Sequence, residues 1–223
     1  MKAVCAVLCL GLLSVCRAAP LTCDQLLTTQ DQELDFAGRW YLHAMSTDSC
    51  AFSHLMHTLM KPSIMVDAVR SETAQTFEVV TTFKIQSFCM NDTEAYSFDK
   101  TSLTYTSFPH KYHLLPSSCS DCTVLKTEGL TKIILLYSRK PSVDAADLKE
   151  FETQASCLGL PQPKQFDNDY EMSNCKDIEE DEPTSEEGDV FIKRAEDFLR
   201  ELIQCFVRYV YSLIKPGGSE VEA

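Results

Sequence analysis

Hydrophobic and polar residues alternate with a period of two over much of the chain between residues 37 and 140. The clearest case runs from residue 75 to 86, where Phe77, Val79, Phe83 and Ile85 share one face and mostly polar side chains share the other. Successive side chains of a strand point to opposite faces, so this run predicts a strand of an antiparallel sheet with one face in water.

Short runs of this kind recur at regular spacing, separated by turn residues. They predict eight strands, at residues 38–46, 63–71, 75–86, 94–100, 102–108, 111–115, 122–127 and 131–139. Such a series is typical of an all-β barrel or sandwich. Eight antiparallel strands that close on themselves leave an interior wide enough for one small ligand.

Two segments switch to helical spacing. The strand at 131–139 is apolar on both faces, and residues 142–157, which carry apolar side chains every three to four positions, predict one α-helix that covers its outer face. Residues 177–189 are strongly acidic and predict a flexible linker. Residues 190–215 then predict an amphipathic C-terminal helix whose apolar stripe needs a cover.

The N-terminal residues predict a signal peptide at 1–18. A short basic start precedes an apolar run of signal-peptide length, and Cys16-Arg17-Ala18 places small residues at the cleavage site. We therefore expect a protein secreted into extracellular fluid, with a folded domain over 19–176 and no transmembrane segment.

The net charge of the chain limits the classes of binding partner that we expect. The chain has 20 Lys and Arg against 33 Asp and Glu, a net charge of −13. Nucleic acid is not an expected partner, because phosphates require Lys and Arg. The acidic balance is compatible with a cationic small molecule.

The number of cysteines also favours an extracellular protein. Cys5, Cys9 and Cys16 leave with the predicted signal peptide, and an even number remains, which is typical of disulfides in a secreted chain. The remaining cysteines are Cys23, Cys50, Cys89, Cys119, Cys122, Cys157, Cys175 and Cys205. Asn91 begins a glycosylation sequon, which predicts a glycoprotein with an exposed loop at that point.

No set of residues in the sequence supports catalysis. His54 and His57 are three residues apart, but two histidines without a nearby cysteine or carboxylate are weak zinc ligands. Nucleophile-elbow and phosphate-loop motifs are missing. We therefore expect no enzyme activity, metal or cofactor. The alternative of a barrel enzyme would be supported only by a catalytic turnover that is lost when the two histidines are mutated.

Binding is the remaining function, and the strand faces predict a ligand pocket. Its predicted lining residues are Phe77, Val79, Phe83, Ile85, Tyr96, Phe98, Leu103, Tyr105, Tyr112 and Leu114. Ligand pockets are mainly apolar with a few oriented polar groups, here tyrosine hydroxyls and a carboxylate such as Glu94 or Asp99. The alternative is that these side chains fill a solid core.

Two sites at opposite ends of the strand series carry a family resemblance. Gly38-Arg39-Trp40 resembles the Gly-x-Trp signature of lipocalins, and Arg139 matches the arginine that lipocalins pack against that tryptophan. The middle signature, Thr-Asp-Tyr, is missing, and Lys126-Thr127-Glu128-Gly129 stands in its place. The resemblance implies an eight-stranded antiparallel up-and-down lipocalin barrel, with Gly38, Trp40 and Arg139 as its floor.

Three further segments resemble apolipoprotein M, in the branch that includes α1-acid glycoprotein and the saxitoxin- and tetrodotoxin-binding plasma proteins. They are residues 116–119, 135–139 and 150–158. The resemblance covers residues 20–176 and implies transport of a small hydrophobic or amphipathic molecule. Apolipoprotein M has basic and Trp residues where residues 90–94 are acidic here, so the ligand classes that remain are a neutral lipid, a hydrophobic amine or a guanidinium toxin.

The family pattern also implies the disulfides Cys23–Cys157 and Cys89–Cys175. Cys119 and Cys122 lie in one hairpin connection and can close locally. The wall-helix cysteine that pairs with Cys119 in apolipoprotein M is absent, because that position is Asp147 here. We hypothesise that Cys50–Cys205 holds the last helix at the barrel mouth. The alternatives are a Cys50–Cys122 pair, free thiols, or a Cys205 bridge between two chains.

The last helix supports an alternative function. A wide apolar face bordered by Lys and Arg is typical of helices that lie on a lipid surface. In that case the helix docks on lipoprotein or another protein, and the barrel is a scaffold.

Overall fold

The structure is a computed structural model that describes residues 22–29, 35–73, 75–106, 111–178 and 180–214. The predicted signal peptide lies outside the described residues. The strands of the barrel are β1 Gly38–Thr47, β2 Ser63–Arg70, β3 Thr76–Ile85, β4 Phe88–Phe98, β5 Ser102–Tyr105, β6 Lys111–Leu115, β7 Cys122–Glu128 and β8 Ile133–Ser138.

These strands form a closed antiparallel barrel, as the sequence predicts. Each strand pairs with its neighbours in the chain, β8 returns to β1, and β4 pairs with β5. The β1–β8 ladder shifts register between Leu42 and Ala44, which moves Leu42 and Met45 to the same side. Two short strands are added outside the barrel: β9, Lys164–Gln165, along β1, and β10, Lys176–Asp177, parallel to β4.

The fourth strand is longer than the sequence predicts, and the predicted loop around Asn91 is wrong. Only Gln86 and Ser87 separate β3 from β4, so the ladder runs unbroken from Ile85 opposite Phe88. Asn91 therefore lies within β4, exposed, where its side chain accepts a hydrogen bond from Thr82 Oγ1 at 2.8 Å.

The predicted wall helix is α3, Ala145–Cys157, which follows α1, Cys23–Leu27, and α2, Cys50–His54, in the chain. Phe151 and Ala155 are buried against Ile134 and Leu136 on the outer face of β8. This packing explains why β8 is apolar on both faces: one face lines the barrel and the other lies under the helix.

The closed end of the barrel is built around Trp40, which is 2% exposed. Its Nε1 donates to the carbonyl of Phe36 at 2.9 Å, and the Arg139 guanidinium lies 4.0 Å from its ring centroid. Arg139 also donates to the carbonyls of Asp35 and Ala37. Gly38 has φ +98°, and a Cβ there would lie 2.6 Å from Arg139 Nη1. The position therefore requires glycine for its backbone and for the space that the guanidinium occupies.

The open end is covered by residues 50–60, which we call the lid segment. It consists of α2 and a π-helical segment, Leu55–Met60. Phe52 and Met56 of the lid segment pack against Leu42 and Ile64 from the barrel interior. The barrel mouth is therefore closed by apolar side chains from the β1–β2 connection.

The C-terminal helix is α4, Ser185–Ile214, and it starts earlier than the predicted residue 190. Thr184 and Glu187 form a capping box: the Thr184 N–H donates to the Glu187 carboxylate at 2.7 Å, and the Glu187 N–H donates to Thr184 Oγ1 at 3.3 Å. The last residues of the predicted linker are therefore helical. No helix among the described residues is both long enough and apolar enough to span a membrane.

Four disulfides connect these elements. They are Cys23–Cys157, Cys50–Cys205, Cys89–Cys175 and Cys119–Cys122. The first ties α1 to the end of α3, and the third ties the segment before β10 to β4. Cys50–Cys205 is the pair hypothesised from the sequence, and it joins the lid segment to α4.

Candidate ligand-binding site

A cavity of about 80 Å³ lies inside the barrel, above the closed end. Its walls are mostly apolar, and its polar groups come from tyrosine and threonine side chains. The lining residues are Phe36, Trp40, Val66, Val79, Thr81, Tyr96, Leu103, Tyr112, Thr123, Leu125, Leu135 and Tyr137. The side chains inside the barrel therefore leave a small cavity and do not fill the interior completely.

Four of the residues predicted from the strand faces lie together in this cavity: Val79, Tyr96, Leu103 and Tyr112. Phe77, Phe98 and Leu114 pack in the core of the closed end, next to the cavity. The remaining three lie elsewhere.

Phe83 packs in the cluster beneath the lid segment. Tyr105 lies beside Tyr96, with ring centroids 5.2 Å apart, and its hydroxyl is hydrogen-bonded to Glu94. Ile85 lies in a separate groove outside the barrel, because β3 extends beyond the rim at that point. Period-two alternation places Ile85 on the same strand face as Phe83, but it does not show where along the strand the barrel ends.

Sequence reasoning did not assign the other eight lining residues to the pocket, and four of these form one side of the wall. Thr123, Leu125, Leu135 and Tyr137 come from β7 and β8. β8 is apolar on both faces, so alternation alone does not identify its inward side. The signal lies in the pairing register instead, because Leu42 pairs with Tyr137 and Thr123 pairs with Tyr137 across the next ladder.

The cavity tyrosines are un-ionised hydrogen-bonding groups. Burial raises the pKa of Tyr96, Tyr112 and Tyr137, and the neighbouring tyrosines add to the shift for Tyr96 and Tyr137. Glu94 accepts from the Tyr105 hydroxyl and raises the pKa of Tyr105 to about 12. Each hydroxyl therefore keeps its proton at physiological pH.

Thr123 is the unusual polar group of the cavity. It is 2% exposed, and its Oγ1 has no hydrogen-bond partner among the described residues. Buried polar atoms are nearly always hydrogen-bonded, so a polar group of a molecule in the cavity, a water included, would satisfy this hydroxyl.

Neither carboxylate suggested from the sequence lines the cavity. Glu94 is close enough to Tyr96 and Tyr105 to raise the pKa of both. Asp99 belongs to the β4–β5 turn, where it accepts hydrogen bonds from Thr101 and Ser102.

The two histidines belong to the lid segment. His54 contacts Thr58 at 3.3 Å and Glu201 at 3.7 Å, and the His57 ring packs tilted against the Phe166 ring with centroids 4.6 Å apart. The sulfurs of Cys50 and Cys205 lie close to His54, but both belong to a disulfide and are not thiolate ligands. This cluster, as folded, offers one metal ligand from His54 and not three.

Comparison with known proteins identifies the family. A family model described as the ApoM domain matches residues 6–177. The chain belongs to the ApoM-domain family. The matched range contains the whole barrel and α3 and ends before α4. No match was found among curated protein sequences.

Solved lipocalins also match. One is described as a siderocalin, Ex-FABP, that functions through dual ligand specificities: it is 16% identical, covers 58% of this chain and 88% of its own, with a TM-score of 0.49. A dog lipocalin allergen is 12% identical, covers 64% of this chain and 99% of its own, with the same TM-score of 0.49. Membership of the ApoM-domain family implies binding of a small hydrophobic ligand.

Proposed function

We propose that this ApoM-domain protein is a secreted, non-enzymatic carrier that holds a compact hydrophobic or amphipathic molecule inside the barrel. The observation that carries the proposal is Thr123 Oγ1, which is buried in the cavity wall without a partner. An unsatisfied buried hydroxyl costs about 1–3 kcal/mol, and a polar group of a bound ligand removes that cost.

The size of the cavity limits the ligand. A single water needs about 10–15 Å³ on this measure, so about 80 Å³ admits a few waters or one compact ring. The tyrosine and threonine hydroxyls form hydrogen bonds with a polar group on that ring. Long-chain lipids exceed this space as the cavity stands.

Charge favours neutral and cationic ligands over anionic ones. Glu94 lies beside Tyr96 and Tyr105, and the chain has a net charge of −13. An anionic ligand beside Tyr96 would be repelled by the nearby Glu94 carboxylate. The predicted signal peptide and the four disulfides support secretion.

The test is a titration with three probes that share one ring: cyclohexylmethanol, cyclohexylmethylamine and cyclohexanecarboxylate. Trp40 lines the cavity and is the single tryptophan, so its fluorescence reports occupancy directly. We expect the alcohol and the amine to bind and the carboxylate to bind least. If none of the three changes the fluorescence or gives heat in calorimetry, the carrier proposal fails.

Thr123→Val keeps the shape of the side chain and removes the hydroxyl. We expect affinity for the alcohol to fall about threefold to tenfold, while the free protein becomes equally or more stable. Thr153→Val on the exposed face of α3 is the matched control and should leave affinity unchanged. Equal affinities of the Thr123 variant and the wild type contradict the proposal. Native mass spectrometry of protein from its own source then gives the mass of the natural ligand.

One observation favours the alternative of a lipoprotein- or protein-associated scaffold. No residue of α4 is buried, and one apolar stripe of the helix is exposed along its length. The stripe consists of Ile192, Leu199, Ile203, Phe206 and Leu213. Helices with such a stripe lie on lipid surfaces.

Flotation of the full chain with phosphatidylcholine vesicles tests this second function. Ile203→Glu with Phe206→Glu places charge in the stripe and should abolish flotation. Gln204→Glu, on an exposed polar position of the same helix, is the matched control. A wild-type chain that stays at the bottom of the gradient removes the lipoprotein form of the scaffold alternative.

A further inference from the structure

A second cavity lies outside the barrel, between the β3–β4 hairpin and the first turns of α4. We call it the rim groove. Its apolar wall is formed by Met60 of the lid segment, by the hairpin, and by Phe191 of α4; the hairpin contributes Ile85, Phe88 and Met90. Its volume is about 440 Å³, against about 80 Å³ for the barrel cavity, and it falls within the usual range of ligand pockets.

The two walls of the rim groove are fastened to each other. Glu187 of α4 accepts hydrogen bonds from the Ser87 hydroxyl in the hairpin turn and from Lys176 Nζ at 2.8 Å. The Lys176 backbone N–H in turn donates to the Ser87 carbonyl at 2.8 Å. Cys89–Cys175 and Cys50–Cys205 hold the neighbouring segments covalently. The groove is therefore preformed and does not depend on a ligand to assemble.

Gln86 supplies one polar group to this apolar space. It is the first residue of the two-residue hairpin turn and has φ +57°, a conformation that glutamine adopts at a cost of about 1–2 kcal/mol. Its Nε2 is buried and has no hydrogen-bond partner among the described residues, although Gln86 lines the groove. A buried amide donor without an acceptor indicates that an acceptor belongs there.

Gly188 keeps the groove open. It lies in the first turn of α4, and a Cβ added to it would meet no atom within 4 Å. Alanine is a better helix former than glycine by about 1 kcal/mol, so glycine at this position brings no benefit to the helix itself. The missing side chain leaves space on the groove side of α4.

We propose that the rim groove is a second ligand site, which binds a neutral amphipathic molecule with an unbranched apolar chain and one hydrogen-bond acceptor placed at Gln86 Nε2. The acceptor is an uncharged hydroxyl or carbonyl, because the Asp181 carboxylate also borders the groove and repels an anionic head. This site is independent of the barrel cavity, which is too small for such a chain.

The probes are 1-decanol and decanoate, which share a chain length and differ in the charge of the head. Binding is measured by calorimetry and by the ¹³C-methyl NMR signals of labelled methionines. Met60 and Met90 line the groove, whereas Met45 lies in the cluster beneath the lid segment and is the internal control. We expect 1-decanol to shift the Met60 and Met90 signals and decanoate to bind about fivefold or more weakly.

Gly188→Leu fills the groove without a steric clash and should weaken 1-decanol at least about tenfold. Gly188→Ala has the same helix effect but leaves most of the space, so its affinity should stay within about twofold of the wild type. Gln86→Leu removes the donor and should weaken the alcohol about threefold to tenfold. Unchanged Trp40 fluorescence of each variant shows that the barrel has folded.

Three results overturn the proposal. The first is 1-decanol binding that leaves Met60 and Met90 unshifted, or no binding at all. The second is a Gly188→Leu variant that binds as tightly as Gly188→Ala. The third is decanoate that binds as tightly as the alcohol. None of these results bears on the cyclohexyl probes in the barrel cavity, so the two proposals fail separately.

Discussion

Replacing Gly38 with alanine tests the construction of the barrel floor. Gly38 has φ +98°, and the new Cβ would lie 2.6 Å from Arg139 Nη1. The backbone conformation alone costs a residue with a side chain about 1–3 kcal/mol. The contact is closer than real Cβ atoms allow, so Arg139 must also move.

The displacement of Arg139 adds a second cost. Its guanidinium donates to the carbonyls of Ala37 and Asp35 and lies 4.0 Å above the Trp40 ring. Hydrogen bonds from charged donors contribute about 1.5–3 kcal/mol each, and a cation–π contact contributes about 0.5–2 kcal/mol. Arg139 is partly exposed and retains some contacts after a shift, so we expect Gly38→Ala to lower the free energy of unfolding by about 3–4 kcal/mol in total.

The assay is urea unfolding with the disulfides intact, followed by the fluorescence of Trp40. Gly129→Ala is the matched control, because a Cβ there meets nothing within 4 Å, and it should change stability by less than about 0.5 kcal/mol. A double-mutant cycle with Arg139→Ala separates the two costs. In the double variant the contacts of Arg139 are lost only once, so its destabilisation should be smaller than the sum of the single variants by about 2 kcal/mol.

Two results contradict this reasoning. Full additivity in the cycle means that the new methyl group does not displace Arg139. A loss below about 1 kcal/mol for Gly38→Ala means that the floor tolerates both the Cβ and the backbone conformation.

Three further predictions concern the wall, the lid segment and the C-terminal helix. Phe151→Ala should cost about 3–5 kcal/mol in urea unfolding, because this ring of α3 is 1% exposed and packs against the outer face of β8. A loss near 1 kcal/mol would mean that α3 does not seal that face. Cys50→Ser with Cys205→Ser should leave Trp40 unfolding cooperative while the amides of α4 lose protection in hydrogen exchange, since no residue of that helix is buried; unchanged protection contradicts this. Burial, reinforced by Lys164, lowers the pKa of His57 to about 4. Between pH 6.5 and 4 the unfolded state therefore binds more protons than the folded state, and the folded state loses stability as the pH falls through this range. His57→Gln should therefore flatten the decline of Tm from pH 7 to pH 4.5, and parallel curves for variant and wild type would refute the prediction.

Several features of this protein follow from the sequence because they depend on local periodicity. Alternation over β3 and three-to-four spacing over α3 identify elements whose buried faces repeat at fixed intervals. The doubly apolar β8 implies a cover, and α3 lies where that cover is needed. The start of α4 was also readable, since Thr184 and Glu187 have the spacing of a capping box, but Pro183, Gly188 and the acidic run suggested a linker instead.

The sites depend on contacts between distant segments. Tyr137 faces the cavity because it pairs with Leu42 of β1, and Thr123 because it pairs with Tyr137; no pattern within β7 or β8 reveals these pairings. Gln86 and Gly188 meet at the rim groove only because the Glu187 contacts and two disulfides bring α4 to the hairpin.

The sequence by itself thus determined the barrel, its floor at Gly38, Trp40 and Arg139, and the helix on its wall. Each of these rests on hydrophobic periodicity or on a short motif. Only the tertiary structure decided how much of the interior stays empty, which face of α4 is exposed, and that a larger groove lies outside the barrel. Volumes and unpartnered polar atoms are properties of packing between segments far apart in the chain, and so they appear only when those segments are in contact.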